Sequence, residues 1–324
     1  MDFELSEDQV ALADGVRSFC EGRFPMATVR ALADDHGVDR DRWRELGDLG
    51  LFSLLLAAAA GGVEGGWADA VVAFEELGRA LVPGPLVWTQ LLAGTVPGAA
   101  TGETIVAGID RADPSGIVEF PDRLDHLAVV DDAGIWLVPA GDLVVELLRP
   151  LDPLTPVARL TAPLPQGDLI LDAEAAARLR IHGAALTSAL LLGSSQASAA
   201  LAVAYAKERQ QFGRPIGAFQ AMKHLLADTF TRAEIARGAV YAAGVTLDDP
   251  AVGSAERAVA AAKLTAAEAA LANAKTCIQV HGGMGFTWEI DAHLYLKRAY
   301  ALEPAFGTRD EWADVMADVL DQTA

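Results

Sequence analysis

Two segments in the second half of the chain decide the fold: KERQQFGRPIGAFQ at residues 207–220 and QVHGGMGF at residues 279–286. Each lies where a long Ala-rich helical pattern ends. Arg209 offers a planar fork of hydrogen-bond donors to pyrophosphate oxygens, while Gly282 and Gly283 allow the backbone to approach a ligand closely. A lone arginine or a lone Gly-Gly pair more often marks a helix end, but the two together are harder to explain in that way and would suit a dinucleotide diphosphate.

Helices extend outward from these two segments. The pattern predicts Ala-rich helices near 173–208, 217–246 and 251–280, followed by two shorter helices after the Gly-Gly break. Long helices with few aromatic residues bury themselves best against equally long neighbours, and aromatic residues make up only 6% of this chain. We therefore predict an antiparallel bundle at the C-terminal end, of a kind that commonly associates into oligomers.

The N-terminal part also reads as helical. Ser6 and Gln9 form a capping pattern that begins a first helix, and further helices are predicted near 39–58, 66–82 and 86–92.

The middle of the chain differs, because from about residue 96 Pro and Gly punctuate the short apolar runs TIVAGI, HLAVV, GIWLV, DLVVELL and DLILD. These runs read as strands, and the aromatic residue in GIWLV, Trp136, is typical of a buried strand position. The sequence thus predicts a mainly α protein with a small β domain. We expect an N-terminal helical domain at 1–95, a shortened middle β domain at 96–170 and a C-terminal helical bundle at 171–324.

Composition argues against several classes of function. The chain has 25 Lys+Arg against 45 Asp+Glu, and a formal net charge of −20 makes nucleic acid a poor partner. Cys20 and Cys277 lie far apart without metal-ligand spacing, which predicts no metal site and fits a reducing cytoplasm. The N-terminus has no secretory pattern. Residues 183–206 carry no charge, but their Ser and Thr content and the basic residues on both flanks favour a buried bundle helix over a membrane span.

The two deciding segments resemble the R-x-x-F-G-x-P-I-x-x-F-Q turn and the Q-x-x-G-G-x-G-[FY] segment of the acyl-CoA dehydrogenase family. The resemblance implies that family's fold, with an N-terminal helical domain, a middle β domain and a C-terminal four-helix bundle that oligomerises and contacts FAD. It also implies that the ADP half of a neighbouring subunit's FAD is bound by Arg209, Phe212, Gln279, Gly282 and Gly283, and that Thr308 is a further cofactor-binding residue.

The resemblance fails at the catalytic base. The family removes a proton from the α-carbon of an acyl-CoA thioester with a carboxylate, while a hydride leaves to the flavin. In most members a Glu directly precedes a Gly-Thr pair, but here Phe306 precedes Gly307-Thr308. In a minority the Glu lies early in the long helix, where this chain has Gly183. Glu303, followed by a proline, is the one weak candidate that remains nearby.

The middle part departs from the family as well, since neither the T-E-P-x-x-G-S-D-like segment nor the W-[IV]-[TS] segment that touches the flavin ring is present. We therefore expect a base-less subunit of a cytoplasmic, heteromeric α2β2 acyl-CoA dehydrogenase, similar to the paired short subunits of actinobacterial enzymes that act on steroid side chains. A companion subunit would supply the catalytic Glu for an acyl-CoA substrate, and an electron-transfer flavoprotein would accept the electrons.

Two alternatives stay open. One is an autonomous homo-oligomeric dehydrogenase with a displaced base, Glu303. The other is a non-catalytic acyl-CoA-binding or assembly module that has kept the fold.

Overall fold

The computed structural model describes residues 4–35, 37–111, 113 and 115–322. The helices are α1 Glu7–Arg23, α2 Met26–Asp34, α3 Arg40–Asp48, α4 Trp67–Arg79, α5 Leu86–Leu92, α6 Ala173–Glu208, α7 Gln220–Asp248, α8 Ala255–His281, α9 Ala292–Leu302 and α10 Arg309–Gln322. The strands are β1 Val106–Asp110, β2 Ile117–Glu119, β3 His126–Asp131, β4 Gly134–Pro139, β5 Val145–Leu148, β6 Val157–Leu160, β7 Asp168–Asp172, β8 Gln210–Gln211 and β9 Arg214–Pro215. This order of helices, strands and helices confirms the predicted mainly α fold with a small β domain. The three domain boundaries stay predictions.

The chain forms two compact units, and the first contains the long helices. It includes residues 4–26, 67–82 and 184–322, so it draws its helices from distant parts of the sequence. The backbones of α4 and α6 touch through two glycines. A Cβ on Gly78 would lie 2.1 Å from the carbonyl oxygen of Leu190, and one on Gly193 would lie 1.8 Å from that of Glu75. Only glycine permits so close an approach, which accounts for its presence within both helices.

Helix α6 is long and apolar enough to cross a membrane, but 67% of its most apolar stretch is buried within the protein. The core helix of a bundle has the same length and composition, so α6 is weak evidence for a membrane span. Buried hydroxyl groups of α6 can hydrogen-bond to the helix's own backbone. The Ser188 hydroxyl donates in this way to the Ala184 carbonyl oxygen at 2.6 Å.

The N-terminal helices confirm one prediction and correct another. The Ser6 hydroxyl accepts from the Gln9 amide at 3.2 Å and the Gln9 side chain accepts from the Ser6 amide at 3.1 Å, which is the predicted capping box. The predicted helix at 39–58 was too long, because α3 ends at Asp48. Gly50 follows with a φ of +84°, and such a left-handed residue ends a helix.

The second unit includes the described residues of 27–66 and 83–183 and holds two sheets. One has the strand order β1-β3-β4-β7, in which β1 and β3 are parallel and the other neighbours antiparallel. The other is antiparallel, with the order β2-β6-β5. The indole Nε1 of Trp136 donates to Asp131 Oδ1 at 3.0 Å, so this aromatic residue stabilises the β3–β4 hairpin.

Candidate functional site

The turn between α6 and α7 is a small hairpin formed by β8 and β9. Phe212 and Gly213 occupy its two central positions with φ of +53° and +77°, which is the pattern of a type I′ turn. The turn leaves the Phe212 side chain 90% exposed. A phenylalanine in a strained, exposed position is not explained by packing within the chain, and such outliers are typical of functional sites.

Aromatic and cationic groups hold this hairpin against the start of α7. The ring of Phe219 meets that of Phe212 edge to face, with the centroids 6.1 Å apart. The guanidinium of Arg214 lies 4.1 Å from the centroid of the Phe219 ring, which is a cation–π contact. Arg214 is therefore held beside the turn by the ring of Phe219.

The end of α8 forms the second half of the site. Gly282 has a φ of +61° and ends the helix, and a 3₁₀ turn continues to Phe286. A Cβ on Gly282 or Gly283 would meet nothing within 4 Å, whereas a Cβ on Gly285 would lie 2.5 Å from the Ile278 carbonyl oxygen. Gly285 is thus required for packing, while Gly282 and Gly283 border open space.

The fold brings the two segments to one end of the bundle. The ring of Tyr205, one turn before Arg209, stacks on the ring of His281 with a centroid distance of 4.1 Å and an interplanar angle of 27°. Nδ1 of His281 lies 2.8 Å from the Cys277 carbonyl oxygen, so this nitrogen carries the proton and donates it. The stack joins the end of α6 to the end of α8 through the partly buried Tyr205 and the buried His281.

Arg209 and Gln279 are both exposed at this end. Among the residues that the structure describes, no side chain pairs with the Arg209 guanidinium or the Gln279 amide. The segment 207–220 contains three cations against one acid, Glu208, in a chain whose net charge is −20. A guanidinium with free donors, a free amide and a glycine-bordered space fit a pyrophosphate and an adenine or ribose edge.

The turn after α9 carries the position at which the base is absent. Phe306 adopts a φ of +57° and Gly307 a φ of +104°. The Phe306 carbonyl oxygen accepts from Trp312 Nε1 at 3.0 Å. From the other side, Nζ of Lys263 donates to the Ala305 carbonyl oxygen at 2.6 Å and to that of Leu302 at 3.4 Å. The backbone of this turn is therefore held from two sides.

Lys263 is fully buried in α8. Burial lowers the pKa of its ammonium group to about 7, against the opposing effect of the Glu303 and Glu311 charges. The sequence did not indicate a role for this residue, because a lysine in an Ala-rich helix is normally expected to be exposed to solvent. Its acceptors are carbonyls about forty positions away, which no local pattern marks.

The two remaining candidates near this turn have capping roles. Oε1 of Glu303 accepts from the Arg309 amide at 3.0 Å, at the start of α10. Thr308 and Glu311 form a reciprocal capping box, in which the Thr308 amide donates to Glu311 Oε2 at 2.7 Å and the Glu311 amide donates to the Thr308 hydroxyl at 3.3 Å. Both side chains are thus occupied at the end of a helix.

The second base position, Gly183, is buried within α6, and Ala184 beside it is fully buried. The neighbouring His182 is half-buried. Burial, with a smaller contribution from the Arg178 charge, lowers the pKa of the His182 imidazole to about 4. An imidazole with that pKa is neutral at pH 7 and is a weak base. Neither family position therefore carries a carboxylate in this chain.

Comparison with known proteins places this geometry in a family. A family model described as Acyl-CoA dehydrogenase, C-terminal domain matches residues 176–320, and one described as Acyl-CoA dehydrogenase, N-terminal domain matches residues 6–103. Acyl-CoA dehydrogenase IpdE2 of Mycolicibacterium smegmatis is 32% identical over 94% of this chain and 96% of its own length.

Two solved structures share the fold. One is the ChsE4-ChsE5 complex from Mycobacterium tuberculosis, with a TM-score of 0.86, 24% identity and 100% of both chains covered. The other is a variant of the Tcur3481-Tcur3483 steroid ACAD, with a TM-score of 0.84, 24% identity and 98% of both chains covered. At this level of identity the two structures show similarity of fold alone.

Proposed function

Since this chain belongs to the acyl-CoA dehydrogenase family of FAD-dependent oxidoreductases, we propose that it is the base-less subunit of a heteromeric member of that family. In this proposal Arg209, Phe212, Gln279, Gly282 and Gly283 bind the ADP half of an FAD whose ring lies in a companion subunit. The companion supplies the catalytic Glu, and two copies of each chain form an α2β2 assembly.

One observation carries the proposal: the end of the bundle with Arg209 and Gln279 presents unpaired polar groups, while both family base positions lack a carboxylate. Arg209 and Gln279 have free polar groups beside open space, whereas the base positions are occupied by Phe306 and Gly183. A carboxylate is needed to take the α-proton of a thioester, and neither residue can accept it. In the proposal, this chain contributes nucleotide-binding residues, and a partner contributes the catalytic Glu and the site of the flavin ring.

The residues present would act on the cofactor by binding and orientation. FAD, when bound, supplies the acceptor for the hydride that leaves the acyl β-carbon. The Arg209 guanidinium offers two parallel donors to pyrophosphate oxygens, and Gln279 offers a donor and an acceptor to the adenine or ribose. The exposed ring of Phe212 offers an apolar surface for the nucleotide, and the neighbouring Arg214 adds positive charge.

The substrate in this proposal is an acyl-CoA thioester of the steroid side-chain class, which is desaturated between its α and β carbons. The names of the similar proteins support this class, since one is an acyl-CoA dehydrogenase and a structure with the same fold is a steroid ACAD. The fold shared with a two-protein complex supports the companion. An electron-transfer flavoprotein as electron acceptor and a cytoplasmic location complete the proposal.

The test is co-expression of this chain with its companion, the product of a neighbouring gene. We expect a complex with one FAD per pair of chains, measured by absorbance at 450 nm, which bleaches when an acyl-CoA is added. Arg209→Ala should lose the flavin from the complex while both chains still associate. Arg257→Ala is the matched control, because Arg257 is an exposed arginine at the opposite end of α8.

Two outcomes would contradict the proposal. Flavin and bleaching in the chain purified alone, abolished by Glu303→Gln, would show an autonomous dehydrogenase with a displaced base. A complex that lacks FAD altogether would show a non-catalytic acyl-CoA-binding or assembly module.

A further inference from the structure

Two aromatic rings lie close in sequence to the proposed nucleotide-binding residues. Tyr205 comes one turn before Arg209, and His281 comes two residues after Gln279 and directly before Gly282. Arg209 and Gln279 are exposed, whereas His281 is buried and Tyr205 is partly buried. Each half of the site therefore has one exposed polar side chain and one aromatic side chain packed within the protein.

The backbone connects Tyr205 to Arg209. The Arg209 amide donates to the Tyr205 carbonyl oxygen at 2.9 Å, and the Arg209 carbonyl oxygen accepts from the Ile216 amide at 2.8 Å. Tyr205 and Ile216 both pack against one buried apolar cluster. Both polar atoms of the Arg209 main chain are thus held, so the guanidinium extends from a fixed point.

The backbone connects His281 to Gln279 in a similar way. The Gly282 amide donates to the Gln279 carbonyl oxygen and so closes the last turn of α8. Nδ1 of His281 lies 2.8 Å from the Cys277 carbonyl oxygen, and this hydrogen bond fixes the rotation of the imidazole ring. The plane of the imidazole is therefore set by the same helix end that presents Gln279.

The stack of the two rings is a directional link between these helix ends. Its centroid distance is 4.1 Å and its interplanar angle is 27°. The buried residues around it, such as Ala202, Ala206 and Ile278, make apolar contacts that have no preferred direction. Aromatic rings do prefer a defined offset and angle. Residues 201–219 and 274–287, all of which the structure describes, share no hydrogen bond or ion pair.

We infer that Tyr205 and His281 are positioning residues whose stack sets the distance between Arg209 and Gln279. This inference rests on the proposed function and adds to it the pair of residues that holds the two halves of the nucleotide site together. A dinucleotide reaches both groups at once, with its pyrophosphate at Arg209 and its nucleoside edge at Gln279. The second of two linked contacts forms at a high effective concentration only when the spacing of its site matches the ligand.

The first test measures the affinity of the complex with the companion for FAD. FAD is titrated into the flavin-free complex, and binding is followed by flavin fluorescence. Tyr205→Leu should weaken the affinity about tenfold, because an aliphatic side chain fills part of the space but does not set the angle of the two helix ends. Tyr205→Phe keeps the ring and should bind FAD like the natural complex, since the Tyr205 hydroxyl has no partner among the described residues.

The matched control is Phe19→Leu in α1. Phe19 is also partly buried and meets the ring of Phe24, with the centroids 6.2 Å apart. Its loss should lower the free energy of unfolding but leave the affinity for FAD unchanged. If Phe19→Leu weakened FAD binding as much as Tyr205→Leu, the effect would be a general loosening of the unit and the inference would be wrong.

The second test separates positioning from general support of the fold. Gln279→Ala removes one of the two contacts whose spacing the stack sets, while Arg209 remains to bind FAD. In this background Tyr205→Leu should weaken the affinity only about twofold, because the spacing to Gln279 no longer matters. A tenfold loss in both backgrounds would show that the two effects simply add, and the stack would then have a structural role alone.

His281→Leu removes the other ring and should give the same tenfold loss, so it replaces Tyr205→Leu if that variant does not yield a folded complex. Unchanged affinity in the single variants would overturn this inference and leave the proposed function intact. A natural complex that binds no FAD would overturn the proposed function and this inference together.

Discussion

Two turns of the first unit each hold a phenylalanine in the left-handed region of the backbone. They differ in whether the polar groups nearby have hydrogen-bond partners within the chain. At the turn of Phe212, the side chains of Arg209 and Gln279 have no partners among the described residues. At the turn of Phe306, Lys263 and Trp312 satisfy the backbone carbonyls. The first turn therefore leaves polar groups available to a ligand, while the second is held by groups of the chain itself. The difference teaches that the same left-handed backbone can leave polar side chains exposed at one turn and be held by hydrogen bonds at another.

The sharpest way to test this contrast is to fill the open space. Gly283→Val should lower the retention of FAD in the complex about a hundredfold, roughly 2.7 kcal/mol of binding free energy, because the side chain occupies the space of the ligand. The free energy of unfolding should change little, since a Cβ there meets nothing within 4 Å. Flavin absorbance after gel filtration and urea unfolding measure the two effects.

The matched variant is Gly285→Val in the same turn. A Cβ at Gly285 would lie 2.5 Å from the Ile278 carbonyl oxygen, so this change should lower the free energy of unfolding by about 2 kcal/mol. If both variants lost stability equally, the distinction between the open and the packed glycine would be wrong.

A smaller effect concerns the buried ammonium beneath the Phe306 turn. The pKa of Lys263 is lowered to about 7 in the folded protein, below its ordinary value of 10.5. Above pH 7 the unfolded chain therefore binds more protons at this site, and the stability of the protein rises with pH. From pH 7 to 8.5 the free energy of unfolding should rise by about 1 to 2 kcal/mol more in the natural protein than in Lys263→Met. Urea unfolding of both proteins at the two pH values measures it, and parallel pH profiles would refute the assignment.

The smallest effect concerns the indole that supports the same turn. Trp312→Phe removes the hydrogen bond to the Phe306 carbonyl oxygen and should lower the free energy of unfolding by about 1 kcal/mol. Retention of FAD in the complex should be unchanged, because this turn is complete without a ligand. A loss of flavin in Trp312→Phe would show that the two turns are coupled and that the comparison between them is wrong.

The sequence predicted the helices best where one local rule decides them. Helix α6 was predicted at 173–208 and has those bounds, because the Asp172 side chain caps it by accepting from the Ala175 amide and no glycine or proline ends it earlier. Strands β2 and β6 were missed, since three or four residues are too few to show alternation. The helix predicted to reach residue 58 ends earlier, because Gly50 adopts a left-handed backbone conformation. The amino-acid composition does not specify that conformation.

For the candidate site, the sequence identified the exposed side chains that have no partner within the chain. It missed the side chains that are buried or hydrogen-bonded through tertiary contacts. Arg209 and Gln279 stand out because their motifs do not depend on tertiary contacts. The burial of Lys263, Glu75 and Glu76 depends on partners from other helices, so no local pattern indicates it. The capping of α10 by Glu303 was likewise invisible until Arg309 was placed beside it.

The backbone contact between α4 and α6 at Gly78 and Gly193 has a consequence for how such chains change over time. It joins α4 and α6 directly at one seam, although the segment from 83 to 183 lies between their contact residues in the sequence. Strands within the segment can therefore be gained or lost while the seam stays closed.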